Sequence, residues 1–264
     1  MNRLLPLAIA LFITAACFGQ TVETVSERFH YKYVKPETKP TIEQIQKENE
    51  TRQRNWQEEF DAMKASLDDS ERVSDNVKLT VNTEVKFPDL IVSVAYETIK
   101  LTNEADDYAL GKYTINSSNA CIFMCNFLKE KMENDLADYL KPGTKVDVKV
   151  TGATDGTPIR SKIAYNGEYG DFNKRPITLN GKPYNMTVTQ KLGVTTNGQL
   201  AFLRTRGVED FLIKQVTPLK KTQNTFEECA IENKEKGGGY RRVSVEITIH
   251  GAFADVEPEK QVKP

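Results

Sequence analysis

Residues 145–156 read KVDVKVTGATDG, an alternating segment that runs into a turn with glycine. Valine stands at every second position from 146 to 150, a pattern typical of a β-strand with one buried face. The turn that follows carries Asp155, with Gly152 three positions before it and Gly156 directly after it. Turns at strand ends commonly present binding residues on a rigid scaffold, so Asp155 is a first candidate for function.

Two helices are expected to flank this strand in the sequence. Apolar residues recur at helical spacing over 116–140, and Pro142-Gly143 follows them; a second helix is expected over 197–216, ending before Pro218. Strands are expected at 77–81, 85–87, 89–101 and 241–249, and Asn180-Gly181 predicts a hairpin pairing 177–179 with 184–188. This order predicts an α+β sandwich with both helices on one face of a mixed sheet.

The N-terminus has the features of a secretory signal peptide. A short basic segment precedes an apolar run over 4–13, which is too short to cross a bilayer as a helix. We expect a signal peptide at 1–19 and a periplasmic protein. The alternative of cleavage before Cys17 stays open, because the residues before it resemble a lipobox, and lipidation there would associate the protein with the outer membrane.

Composition shifts divide the remaining chain. We expect a linker at 20–40, an amphipathic helix at 41–72, a domain at 77–255 with a hairpin-rich insertion at 157–196, and a polar tail at 256–264. The helix carries one apolar stripe, at Trp56, Phe60, Met63 and Leu67. Two interpretations of that stripe stay open: docking on the following domain, or a coiled coil or partner helix.

Charge and residue counts exclude several classes of function. The 36 basic and 37 acidic residues are nearly balanced, which argues against a nucleic-acid partner. The two histidines, His30 and His250, are far apart in sequence, so we predict no metal site, no cofactor and no catalytic residue. Glu168 and Asp171 near two tyrosines leave a hydrolase as a third hypothesis.

Three cysteines would remain after cleavage at the predicted site. Cys121 and Cys125 lie one helical turn apart, which disfavours a bridge between them. A disulfide from Cys229 to either one is expected in an oxidising compartment, and the alternative of three small buried hydrophobic residues stays open.

Arg204 is the unusual residue of the second helix. It lies on or beside the core-facing stripe, where a guanidinium must find a polar or charged partner, and Asp155 is the natural candidate. Arg206 points elsewhere and is expected to be solvated. Two interpretations of an Asp155–Arg204 pair stay open, a structural ion pair and a ligand site.

Three segments resemble the OmpA C-terminal domain family over about residues 85–253. Residues 152–155 read Gly-Ala-Thr-Asp where the family has Gly-His-Thr-Asp, and Tyr240-Arg241-Arg242-Val243 is similar to its Asn-Arg-Arg-Val entry to the last strand. Its helix signature keeps every spacing in Asn197, Leu200, Arg204, Val208, Phe211 and Leu212. Ala153, Tyr240 and the long insertion depart from the family pattern, and the insertion resembles that of Bacteroidetes-type members.

The resemblance implies noncovalent binding of peptidoglycan through the diaminopimelate of its stem peptide. Asp155 would take the ammonium and Arg204 a carboxylate, with the turn from Thr154 through Gly156 adding backbone contacts; Asn197 and Arg242 complete the candidate set. The leading hypothesis is a non-enzymatic tether, whose protein partner would bind the N-terminal helix or the insertion. The alternative is an OmpA-like scaffold that does not bind the wall.

Overall fold

Helix α1, Ile42–Ala65, opens the part of the chain that the computed structural model describes, which comprises residues 39–67, 73, 77–98 and 108–256. The expected signal peptide, most of the linker and residues 257–264 of the tail lie outside it. Thr41 starts the helix with a capping box, in which its hydroxyl accepts from the Gln44 N–H and its own N–H donates to the Gln44 side chain. The expected end of this helix at residue 72 also lies outside the described residues.

A seven-stranded mixed sheet forms the second layer. Its strands are β1 Val77–Lys86, β2 Asp89–Thr98, β3 Lys145–Thr154, β4 Phe172–Leu179, β5 Lys182–Val188, β6 Gln223–Glu232 and β7 Val243–Ile249. They lie in the order β1-β2-β7-β3-β6-β4-β5, with β6 parallel to both of its neighbours and every other pair antiparallel. The predicted α+β fold class is confirmed.

The other two helices are α2, Asn119–Glu133, and α3, Asn197–Gln215. Alternate residues of the central strands join side chains from all three helices in one apolar cluster. In its middle, Val148 of β3 lies opposite Ile247 of β7, and both are buried. The helices therefore share one face of the sheet, and β3 lies at its centre, as its alternating valines predict.

Helix α1 is docked on the domain. Trp56 and Phe60 are buried, and Phe60 packs edge-on against Phe123 and Phe127 of α2 with ring centroids 5.0 Å apart. Its Gln57 also covers the free edge of β1, accepting from the Val81 N–H and donating to the Leu79 carbonyl. Of the two interpretations of the apolar stripe, the structure shows docking.

Several boundaries differ from those expected. Residues 77–86 form one strand rather than two short ones. Helix α2 begins at Asn119 and ends at Glu133, and not at residue 140, because the Leu136 N–H bonds to the carbonyl of Lys131, five residues back, and breaks the helical pattern. Leu136 and Leu140 are nevertheless buried, so the apolar periodicity continues through the turns that follow.

Strand β6 was not predicted from the sequence. Its residues, QNTFEECAIE, lack the apolar alternation of β3, and its buried Glu228 is held by two arginines, as described below. The insertion also does more than form a separate hairpin. Its strand β4 pairs with β6, so β4 and β5 extend the main sheet.

The predicted hairpin turn is confirmed. Asn180 and Gly181 both have positive φ, 50° and 76°, as a two-residue turn of this kind requires. Ile177 pairs with Tyr184 across it.

The three described cysteines are free and buried, so the expected disulfide to Cys229 is wrong. Cys121 and Cys125 face the core from α2, and Cys229 lies on β6. Burial raises the pKa of Cys229 to about 11, which leaves it a thiol.

Candidate functional site

The end of β3 approaches α3 closely, and this approach positions the site. A Cβ on Gly152 would lie 2.2 Å from the Ala201 carbonyl oxygen, so only glycine fits there. The Gly152 N–H instead donates to the Thr205 hydroxyl at 2.9 Å, and that hydroxyl donates to the Cys229 carbonyl on β6. These bonds join β3, α3 and β6 at a point three residues before Asp155.

The carboxylate of Asp155 is buried, and the described hydrogen bonds to it all involve one of its two oxygens. Its Oδ2 accepts three hydrogen bonds, from the Thr157 hydroxyl at 2.6 Å, the Gly237 N–H at 3.1 Å and Arg241 Nη2 at 3.0 Å. Burial alone would raise the pKa of Asp155, but these three donors outweigh it and lower the pKa to about 2. Its Oδ1 accepts no hydrogen bond from the described part of the chain, so an ionised oxygen is left for a ligand.

Arg204 lies on α3 and is 1% exposed. Its Nη1 donates to the Ala153 carbonyl at 2.6 Å, and its Nε and Nη2 donate to the Lys112 carbonyl at 3.1 and 3.0 Å. The guanidinium carbon lies 4.3 Å from the centre of the Tyr108 ring, a cation–π distance. These contacts fix the plane of the guanidinium.

The ion-pair partner of Asp155 is Arg241, not Arg204. Arg241 follows a short turn, Gly238–Tyr240, and its side chain is buried beside Asp155, where its Nη1 also donates to the Tyr108 carbonyl. Arg242, which the sequence analysis selected, is exposed and does not line the pocket described below. The signal for the correct arginine was weak, because strand alternation begins only at Val243.

The remaining predicted residues hold the turn in place. The Asn197 amide donates to the carbonyls of Asp155 and Thr157, at 3.0 and 3.1 Å, from the first residue of α3. The Thr154 hydroxyl donates to the Asn197 carbonyl, and the Gly156 N–H donates to the Glu235 carbonyl. A Cβ on Gly156 would lie 2.1 Å from the Lys234 carbonyl oxygen, so this position also requires glycine.

Asp155, Asn197, Arg204 and Arg241 line one cavity of about 480 Å³. That volume lies within the roughly 300–1,000 Å³ of small-molecule sites. Its charged floor is buried, whereas Leu110, Pro158, Arg160, Ser161 and Lys236 at its border are exposed. The inserted segment forms one wall of the cavity and leaves its mouth open.

This arrangement offers an anionic and a cationic group to the same small ligand. Asp155 presents a carboxylate oxygen that can accept from an ammonium, and Arg204 presents a fixed guanidinium that can bind a carboxylate. Both groups are desolvated, so their interactions with a matching ligand are stronger than on an open surface. An amino-acid end that carries an ammonium beside a carboxylate matches the pair.

Arg206 is not solvated as expected. Its Nη1 lies 2.5 Å from Glu209 and 2.6 Å from Glu228, and Glu228 also pairs with Arg175 of β4 at 2.9 Å. Arg206 therefore ties α3 to β6. The residues of this cluster do not line the cavity, so variants of Arg206 and Glu209 can serve as controls for variants of the site.

The residues of the hydrolase hypothesis serve a turn of the insertion. Asp171 accepts from the Gln190 N–H at 2.8 Å, and the Tyr165 hydroxyl donates to the Gly170 carbonyl at 2.8 Å. Glu168 and Asp171 do not line the cavity around Asp155.

Comparisons with known proteins show a distant likeness. No family model and no curated protein sequence matches the chain. The OmpA-like domain of FopA1 from Francisella tularensis subsp. tularensis SCHU S4 is similar in structure, at 11% identity and a TM-score of 0.30, over 65% of this chain and 80% of that chain. The periplasmic domain of MotB is similar at 13% identity and a TM-score of 0.31, over 75% and 86%. At these scores the likeness assigns neither a family nor a function.

No helix among the described residues is both long enough and apolar enough to span a membrane.

Proposed function

We propose that this chain is a non-enzymatic protein of the periplasm that binds peptidoglycan noncovalently, through the free end of diaminopimelate in the stem peptide. The observation that carries the proposal is that Asp155 and Arg204 line one cavity and that the Asp155 Oδ1 accepts no hydrogen bond from the described residues. Diaminopimelate presents an ammonium and a carboxylate on one carbon, which is the combination that the two side chains fit. The sequence resemblance of residues 152–155 and 197–212 supports the same ligand.

One such site binds weakly, because a few ion pairs at the mouth of a small cavity supply only a few kcal/mol. The sacculus is a repeating polymer, so several copies held in one place gain avidity. We therefore propose a tethering role. Lipidation at Cys17, or a partner bound through the segment before α1 or the insertion, would provide the second attachment, at the outer membrane or in an envelope complex.

Co-sedimentation with purified sacculi tests the proposal. Wild-type protein is expected to sediment with sacculi, and Asp155→Asn and Arg204→Ala are expected to lose most of that binding. Glu209→Gln and Arg206→Ala are matched controls: they alter a carboxylate as buried as Asp155, each 4% exposed, and an arginine of the same helix, outside the cavity. Circular dichroism confirms that each variant is folded.

A competition experiment on wild-type protein covers the case in which a variant fails to fold. Free meso-diaminopimelate is expected to displace the protein from sacculi, whereas Nα-acetyllysine, whose free ammonium has no carboxylate on the same carbon, is not. If wild-type protein does not sediment with sacculi at all, wall binding is excluded for this chain.

That outcome would favour a second function, an OmpA-like scaffold in a protein assembly. The buried Asp155–Arg241 pair and the bonds from Arg204 to two backbone carbonyls favour it, because these contacts also stabilise the fold without any ligand.

A further inference from the structure

We propose that Arg160 and Lys236 form a second anion-binding subsite at the mouth of the Asp155 cavity, and that this subsite takes a further carboxylate of the same stem peptide. The inference rests on the proposed function and adds to it. It concerns two side chains that do not belong to the segments resembling the OmpA family helix and turn signatures.

Both cations are exposed at the cavity. Arg160 comes from the insertion and Lys236 from the connection between β6 and β7. Neither side chain makes a hydrogen bond or an ion pair with any residue in 39–67, 73, 77–98 or 108–256. No contact among the described residues therefore explains two positive charges at this position.

The charges that line the cavity do not balance. Arg160, Arg204, Lys236 and Arg241 are cationic, and Asp155 is the one carboxylate among the lining residues that the structure describes. Arg241 already pairs with Asp155, and the carboxylate of a zwitterionic end is matched by Arg204. Arg160 and Lys236 are matched to no carboxylate among the described lining residues, although the chain as a whole carries a net charge of −1. A ligand with a second carboxylate would complete the set.

The backbone that carries each cation is tied to the site. Asn197 holds the segment before Arg160 through the Thr157 carbonyl, and Ile163 after it exchanges two 2.9 Å hydrogen bonds with Val194. The loop of Lys236 is held by the Gly237 N–H, which donates to Asp155 itself. The backbone of both residues is thus held near the cavity mouth, so only the side chains need to be ordered when an anion binds there.

The stem peptide contains two carboxylates that could reach this subsite: the α-carboxylate of its glutamate and the carboxylate at its C-terminus. Both share one chemistry, and amidation of either one separates them. An N-acylated tripeptide of alanine, glutamate and diaminopimelate carries both, together with the zwitterionic end.

Calorimetric titration with three forms of this tripeptide tests the subsite: unmodified, amidated at glutamate, and amidated at the C-terminus. The wild-type mature chain is expected to bind one amidated form about tenfold more weakly than the unmodified peptide at low salt. The variant Arg160→Ala/Lys236→Ala is expected to bind the unmodified peptide about tenfold more weakly than wild type and to lose the discrimination.

Lys162→Ala and Lys234→Ala are the matched controls, because each removes a positive charge two positions away that does not line the cavity. Both are expected to keep the wild-type preference. Equal binding of all three peptides by wild type, or an unchanged affinity of the double variant, would overturn the subsite while leaving the Asp155 site intact. Failure of wild type to bind any of the three would overturn the proposed function itself.

Discussion

Asp155 combines a structural and a proposed binding role in one side chain. Its Oδ2 is saturated by Thr157, Gly237 and Arg241, while its Oδ1 is left to the cavity. The same donors that anchor the carboxylate keep it ionised far below neutral pH, because they hold the pKa of Asp155 at about 2. The site is therefore prepared for a cationic group before any ligand arrives.

Replacing Arg241 by glutamine tests the structural half of that role. In wild type, the depressed pKa of Asp155 contributes stability that is present above its ordinary value of 3.8 and is lost as the pH falls towards 2. Arg241→Gln should raise the pKa of Asp155, lower the free energy of unfolding at pH 7 by roughly 2 kcal/mol, and flatten the acid limb of the stability curve. Urea unfolding between pH 2 and 7 measures both effects, and an unchanged acid limb would contradict the assignment.

Some of the site residues could be predicted from the sequence and others could not. Asp155 and Arg204 could be predicted, because one follows an alternating strand and the other interrupts an apolar helical stripe. Arg241 could not, because it follows a short turn in which neither strand nor helix periodicity applies, and its neighbour Arg242 is chemically identical. Arg206 was expected to be solvated because one of its two partners, Glu228, lies on strand β6, which was not predicted.

Two buried ion clusters connect the elements of the fold. Between α1 and α2, Lys131 is 1% exposed and contacts Glu59 at 2.5 Å, Glu130 at 2.9 Å and Asp135 at 3.3 Å. Burial alone would lower the pKa of Lys131, but these carboxylates outweigh it and raise the pKa. The Trp56 indole N–H also donates to Asp135, so this cluster fixes α1 on the domain.

Lys131→Met should lower the free energy of unfolding by about 3 kcal/mol, because it leaves buried carboxylates without their cation. Lys129→Met is the matched control on the same helix. Its side chain is 38% exposed and pairs with Glu133, so its loss should cost about 0.5 kcal/mol or less. Chemical denaturation of both variants compares them, and equal losses would show that the buried cluster does not stabilise the docking of α1.

Between α3 and the sheet, Glu209 and Glu228 lie side by side at Arg206. Burial, together with the neighbouring carboxylate Glu228, raises the pKa of Glu209 to about 7 against the attraction of Arg206. The folded chain then holds a proton that the unfolded chain releases near pH 4.5. Stability should consequently fall as the pH rises from about 4.5 to about 7.

Glu209→Gln should remove this pH dependence and unfold at a higher temperature than wild type at pH 8, by an amount on the order of 2 kcal/mol in free energy. Asp210→Asn, at a position whose side chain is 31% exposed, should keep the wild-type slope. Thermal unfolding at pH 5 and pH 8 distinguishes them. A slope that survives in Glu209→Gln would place the proton elsewhere.

The elements differ in how readily the sequence predicts them. Strand β3, helix α3 and the Asn180-Gly181 turn follow from local patterns and were confirmed. Strand β6 does not follow from a local pattern. Its Glu228 is stabilised by Arg175 and Arg206 from other elements, so the burial of Glu228 depends on tertiary contacts rather than on an apolar pattern.

At the scale of the whole molecule, the insertion has two structural consequences. It adds β4 and β5 to the sheet, and its first residues, from Thr157 to Ile163, form a wall of the cavity. At the opposite edge, α1 covers β1 with Gln57 and docks its apolar stripe. Side chains of α1 thus cover part of the edge of β1, whereas the cavity at the end of β3 stays open to a small charged ligand.

The central claim is that the ligand enters between Asp155 and Arg204. Amide chemical-shift mapping of the mature chain, titrated with the N-acylated stem tripeptide, tests it most directly. The account predicts that the largest shifts fall at residues 154–157, 110–112 and 236–237, and that they vanish in Asp155→Asn but persist in Glu209→Gln. A binding peptide that shifts only residues away from this cavity would contradict it.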